Sequence, residues 1–191
     1  MTMNAGISRE NAMKLLKEYV KNENMIKHSL ASEVVMKAIA VKLGENSDVW
    51  SIAGLLHDID VELTNADSKT HGVVAVKILK ENGVSDEIID AITRHNEEAD
   101  NGLIREDKFH FALAAGETIT GLITATTLVY PDKKIKSIKP KSVVKRMKEK
   151  AFAASVKRES IMECEKIGIP LNEFAELAIN AMCEIDNELG L

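Results

Sequence analysis

The chain carries five histidines, His28, His57, His71, His95 and His110, and one of them stands directly before an aspartate in GLLHDID, residues 54–60. An apolar run that ends in His57-Asp58 places ionisable groups where a buried helix end has little reason to carry any. His28, His57, His71 and His95 are separated by 29, 14 and 24 residues. Spacings of that size put each ring on a different element, as a site at the centre of a helical bundle requires. The contiguous zinc signatures, His-Glu-x-x-His and paired Cys-x-x-Cys, are absent, which argues against a structural zinc site. A lone helical histidine is commonly a half-exposed or hydrogen-bonded core group. Residue types and spacing therefore leave two readings open: a satisfied polar cluster, or ligands suited to a divalent metal.

The elements that must position these residues all read as helices. Ser8 caps a helix from about Arg9 to Val20, with Met13, Leu16 and Val20 on one face. Met25 to Leu43 forms a second helix, stopped by Gly44. Ser47 and Asp48 open a third, which carries Trp50, Ala53, Leu55 and Leu56 and runs into His57 and Asp58. Thr70 to Asn82 is expected to be helical, ended by Gly83, and Ser85 caps a helix through Asn96. Lys108 to Val129 is a long helix, Pro131 and Pro140 bracket a Lys-rich connector, and two or three helices follow, one starting after Pro170. The fold class is all-α. We place a core over residues 8–130, with the basic connector and C-terminal helices of residues 131–191 packed upon it.

Several residues near the pair have an ordinary alternative. Asp60 and Glu62 read as a solvated loop or as carboxylates that orient a ligand imidazole. Arg94 and Asn96 flank His95, but successive helical residues point about 100° apart, so not all three can face one site. His110 lies seven residues before Glu117, on the same helix face, and reads as a surface or supporting residue. Trp50, Met36 and Leu55 read as core.

Composition limits the function classes. The chain has 191 residues, 45% hydrophobic and 29% charged, which is enough to bury a core. Its net charge of −5 makes sequence-independent nucleic-acid binding a poor prospect. Yet residues 131–160 hold eleven Lys or Arg against three acids, a local excess that could bind a small anion. Lys141, Lys145 and Lys148 recur there at helical spacing, either as a solubilising face or as a grip on phosphate. Cys164 and Cys183 are expected to be free thiols. No secretory signal or convincing membrane span is expected, which fits a soluble cytoplasmic protein. A glycine-rich phosphate loop is absent, arguing against ATP-driven chemistry.

GLLHDID, preceded by MIKHSLASEVVMKAIA and followed by KTHGVVAVKILKENGV and IIDAITRHNEE, resembles the HD superfamily of metal-dependent phosphohydrolases. ALAAGETITGLITATTLVYPDKKI and KSVVKRMKEKAFAASVKRE are similar to its HDIG-domain branch, so the resemblance runs from about residue 8 to 185. It implies an all-helical HD fold in which His28, His57 and Asp58 bind metal, His57 and Asp58 being the namesake catalytic pair. His71 and His95 match the extra histidines of two-ion members. The last ligand of the family is normally aspartate, but AGETITGLI places Glu117 there, one methylene longer.

The implied cofactor is one or two divalent transition ions, Fe, Mn, Co, Ni or Zn. His28, His57, Asp58 and Glu117 would hold one and His71 and His95 the other, with Asp58 bridging and a metal-activated hydroxide as nucleophile. Lys141, Lys145, Lys148 and Arg94 are the candidate substrate contacts. The implied substrate is a nucleotide or other small phosphoester, with no membrane partner and a homo-oligomer compatible. The chain lacks the Gly-Tyr-Pro element of the cyclic di-GMP branch. A regulatory domain that binds without turnover, and a di-iron oxygenase of the same fold, are the alternatives.

Overall fold

The computed structural model describes residues 4–191. Ten α-helices and two short 3-10 turns, with no strand, occupy the described residues. The first three helices are set by short polar caps. Ser8 Oγ accepts from the Asn11 amide at the start of α1 (Arg9–Tyr19). Asn22 Oδ1 takes two amides of α2 (Glu23–Leu43), and Asn46 does the same for α3 (Ser47–Leu56). Gly44, at φ 72°, turns the chain sharply between them, a left-handed conformation that favours glycine.

α2 and α3 pack closely, and Gly54 is the reason. A Cβ at position 54 would stand 2.5 Å from the Ser32 carbonyl oxygen and 3.0 Å from the Glu33 nitrogen, both backbone atoms that cannot swing away. Gly54→Ala is therefore expected to force α3 off α2 and destabilise the chain by about 1–3 kcal/mol, read as a lowered denaturant midpoint. An unchanged midpoint would show that the two helices can separate freely.

α4 (Ala75–Glu81) and α5 (Asp86–His95) follow, and α6 (Lys108–Leu128) runs through the middle of the fold. α6 is long and apolar enough to cross a membrane by length and composition, yet Leu113, Ala115, Ile119 and Leu122 are fully buried against neighbouring helices. The core also holds Leu16, Met36, Ile39, Leu55, Leu56 and Phe174, and Trp50 stacks on Phe109 with ring centroids 4.9 Å apart. α7 (Pro140–Met147), α8 (Arg158–Met162), α9 (Leu171–Cys183) and α10 (Asp186–Leu189) complete the chain, with α9 against α2 and α8 against α6. Both cysteines are free thiols.

One element is shorter than its periodicity implies. The helix expected from Thr70 begins only at Ala75, and residues 66–74 form successive turns. Asn65 and Ala66 adopt positive φ, Gly72 does so at 88°, and the buried Asp60 carboxylate takes the amides of Gly72 and Ala75. Those two amides are thereby held in a turn around a carboxylate.

Candidate metal centre

His28 comes from the first half of α2, His57 caps the C-terminus of α3, and Asp58 follows it. His71 stands in the turns before α4, and His95 is the last residue of α5. The fold brings these five together. Asp58 Oδ1 lies 2.9 Å from His71 Nε2, 3.3 Å from His57 Nε2 and 3.5 Å from His95 Nε2, while Oδ2 lies 3.5 Å from His28 Nε2. Asp58 thus belongs to two sets whose donor atoms lie within 4.8 Å of one another, one with His28 and His57, the other with His71 and His95. Glu117 on α6 stands at the edge, its Oε2 3.7 Å from His28 Nε2.

The far nitrogen of every ring is already engaged. His57 Nδ1 lies 2.8 Å from the Gly54 carbonyl and His95 Nδ1 2.6 Å from the Ile92 carbonyl, both acceptors, so each Nδ1 carries the hydrogen. His71 Nδ1 donates to Asp60 Oδ1 at 2.8 Å. The Thr120 hydroxyl donates to the Glu117 carbonyl at 2.7 Å, so its oxygen receives His28 Nδ1–H at 3.0 Å. These partners place a hydrogen on Nδ1 of each ring, so that a ring in its neutral form turns its Nε2 lone pair inward. His28 and His57 then face each other at 3.1 Å between Nε2 atoms, and so do His71 and His95.

The electrostatics follow from that crowding. Burial, reinforced by the His57 charge, lowers His28 to about 4. Burial opposes charge on His57 too, but the Asp58 carboxylate outweighs it and raises His57. Burial likewise lowers His95, whereas on His71 it is overcome by hydrogen bonds to Asp58 and Asp60, which raise that ring to about 10. Within each facing pair the two rings are therefore shifted in opposite directions, His28 down and His57 up, His95 down and His71 up. Asp58 is held well below the usual carboxylate range because His57, His71 and His95 override its burial. Burial pushes Glu117 up to about 7.

The remaining expected contacts fall elsewhere. Lys141, Lys145 and Lys148 are exposed on or just past α7 and do not line the cleft above the rings, so the solubilising reading fits their positions. Arg94 points away from His95, to Asp90 at 2.9 Å and to the Ile104 carbonyl. His110 is not a surface residue. It is buried as part of a capping box with Asp107 at the start of α6, and its Nε2 meets Asp90 Oδ2 at 2.8 Å. Glu62 accepts the amides of Lys21 and Asn22 and thereby ties the α1–α2 turn. Asp60, fully buried behind His71, takes the orienting alternative over the loop one.

Two contributors, Thr120 and Lys157, were not among the expected residues. Thr120 could have been found from its i, i+3 position after Glu117. Lys157 could not: it lines the cleft because the 149–157 segment folds back over it, fastened by Arg158, whose guanidinium donates to the carbonyls of Ala153 and Val156, each at 2.6 Å. Lys157 Nζ meets Glu97 at 2.8 Å and Glu98 at 2.7 Å.

A family model described as HD domain matches residues 25–125, the stretch that contains all of the inward-facing rings and both carboxylates of the centre. The chain belongs to the HD domain family. Within that family it is 25% identical to a Ribonuclease Y of Rubrobacter xylanophilus over 167 residues, 87% of this chain and 32% of the relative. It is 34% identical to a Ribonuclease Y of Thermosipho melanesiensis over 76 residues, 40% of this chain and 15% of the relative. The chain thus spans a third or less of the length of these relatives. No solved structure matches it. The HD domain's all-helical architecture is the one described above, and its His/Asp groups could hold a metal.

Proposed function

We propose that the chain is a metal-dependent phosphohydrolase acting on a nucleotide or other small phosphoester. One observation carries this reading: two pairs of imidazole Nε2 atoms 3.1 Å apart, with every Nδ1 already spent on another partner. Lone pairs at that distance repel unless a proton or a cation stands between them. Four imidazoles and a carboxylate shared by both pairs fit divalent transition ions. His28, His57 and Asp58, with Glu117 at the edge, would hold one and Asp58, His71 and His95 another. Divalent ions held there supply Lewis acidity, which acidifies water and neutralises charge on phosphoryl oxygens.

The chain's own residues do the positioning. The Gly54 and Ile92 carbonyls, Asp60 and Thr120 lock the four rings, so the donor set is preorganised. Lys157 is the cation that lines the cleft and the group we assign to a nonbridging phosphoryl oxygen. Lys157→Ala is expected to raise KM about tenfold with a smaller change in kcat, and Lys157→Arg to recover part of it. Steady-state kinetics with KM unmoved would remove Lys157 from the substrate site.

Ion uptake competes with protons on His71 and Glu117, raised to about 10 and about 7, and on His57, which is also raised. Metal affinity is therefore expected to weaken as pH falls and to rise with pH, by about one logarithmic unit per pH unit for each proton displaced. Because His71 keeps its proton up to about 10, the rise continues past neutrality. Competition titrations with a chromophoric chelator read the slope, and a flat profile would contradict this proton inventory.

The direct test is phosphate release or strand cleavage by Mn-, Co-, Ni-, Fe- and Zn-loaded protein on an aryl phosphate, a nucleotide panel and a short RNA. Release from a nucleotide supports the reading. Metal bound without turnover of any substrate would leave the non-catalytic alternative standing. A second reading, an RNA phosphodiester as substrate, is favoured by the likeness to the Ribonuclease Y relatives, one of which aligns over 87% of this chain. Cleavage of the RNA with no release from free nucleotides would select it.

A further inference from the structure

The cleft above the rings, with a volume of about 370 Å³, lies beside a second cavity of about 420 Å³, and the two share His28 and Gly121 as lining residues. The second is floored by Thr124, Ala125 and Leu128 of α6, closed by Leu189, and rimmed by Lys27. Glu117, Gly121, Thr124, Ala125 and Leu128 fall at spacings of three and four, one stripe of α6. That stripe leads from the edge of the centre into the second cavity, a run of about 16 Å at the helical rise per residue.

Gly121 sits at the junction. A Cβ there would stand 3.3 Å from Val156 Cγ2, on the segment that carries Lys157, so a side chain at 121 would crowd the boundary that the two cavities share. The residues beyond it are small or apolar, which leaves a floor against which a flat ring can lie. Lys27 lines this cavity and not the cleft above the rings. An occupant spanning both cavities would pass the His28–Gly121 boundary, with its anion over the rings and a largely apolar body beyond it.

We propose that the second cavity seats the nucleoside attached to the phosphate held above the rings, so that the two cavities form one nucleotide site with α6 as its floor. This rests on the phosphoester reading above. Among small phosphoesters it favours those with a nucleoside over those with a compact substituent, because binding outside the reacting group is what separates substrates that share one phosphate.

The test uses the whole chain with two variants. Ala125→Phe fills the floor, and Leu128→Glu places a carboxylate on an already exposed position, where the fold is insensitive to it. Two measurements are made: the ratio of kcat/KM for adenosine 5′-monophosphate to that for 4-nitrophenyl phosphate, and the calorimetric Kd of the same nucleotide on the metal-free chain. In each variant the ratio is expected to fall, and the Kd to rise, by about tenfold. A ratio and a Kd that stay within about twofold of the parent chain in both variants would overturn the proposal, as would a parent chain that does not bind the nucleotide. If the metal-loaded chain cleaves neither compound, the phosphohydrolase reading fails by itself, and the Kd values alone decide for or against the nucleoside seat.

Discussion

Asp58→Ala is expected to leave the protein folded, to abolish retention of metal after reconstitution, and to lower kcat/KM by about a thousandfold or more. The expectation follows from position. Asp58 is the one side chain within 3.5 Å of all four inward nitrogens, and it belongs to both donor sets. An orienting residue behind a ligand typically costs about 10- to 100-fold when removed, so a residue shared by two sets must cost more. Its loss also removes the larger of the two charges that raise His57, the other being Glu117, and one of the two that raise His71. Asp58→Asn separates shape from charge: it keeps the outline and still fails to hold metal. Mass spectrometry of the reconstituted protein under native conditions counts the ions, and phosphate release gives the rate. Wild-type ion content in both variants would refute the shared-carboxylate arrangement, whatever the rate.

The sequence pattern carried most of the architecture because the helices are long and their ends are chemically marked. Ser8, Gly44 and Ser85 stand at the boundaries that they suggested. The centre was legible for a different reason. Rings on separate elements at spacings of 29, 14 and 24 residues can meet only if those helices converge, and four of the five do. Where the structure differs from what the pattern suggests, a particular contact decides it, some of them distant along the chain and some local. The periodicity over Thr70–Val74 is helical, but Asp60, ten or more residues earlier, draws the amides of Gly72 and Ala75 into turns. Lys141, Lys145 and Lys148 formed the conspicuous basic stripe, whereas the cation over the rings is Lys157, delivered by a fold-back that Arg158 holds through backbone carbonyls. His110 shares its helix with Glu117, yet a capping box claims it, because a helix start leaves free amides that a nearby side chain can satisfy.

Asp60→Ala is expected to do two separable kinds of damage. The carboxylate is fully buried, and its oxygens receive His71 Nδ1–H at 2.8 Å and the amides of Gly72 and Ala75 at 2.8 and 2.9 Å. Alanine leaves three buried donors without an acceptor, and at about 1–3 kcal/mol for each unsatisfied group the loss is on the order of 3 kcal/mol or more. The denaturant midpoint should fall accordingly. His71 at the same time loses the partner that fixes its ring, so metal affinity should weaken by about 10- to 100-fold even where the variant is still folded. Asp60→Asn retains one acceptor oxygen and is expected to recover part of the stability. It cannot satisfy both the His71 side and the amide side, because its NH2 group faces a donor on whichever side it is turned. The comparison that decides is metal affinity at a temperature at which all three proteins are folded. Equal affinities there would make Asp60 only a clasp for the turns before α4. Weaker affinity in both variants would mean that one carboxylate shapes the loop and aims its histidine, which ties the integrity of residues 66–75 to the chemistry of the centre.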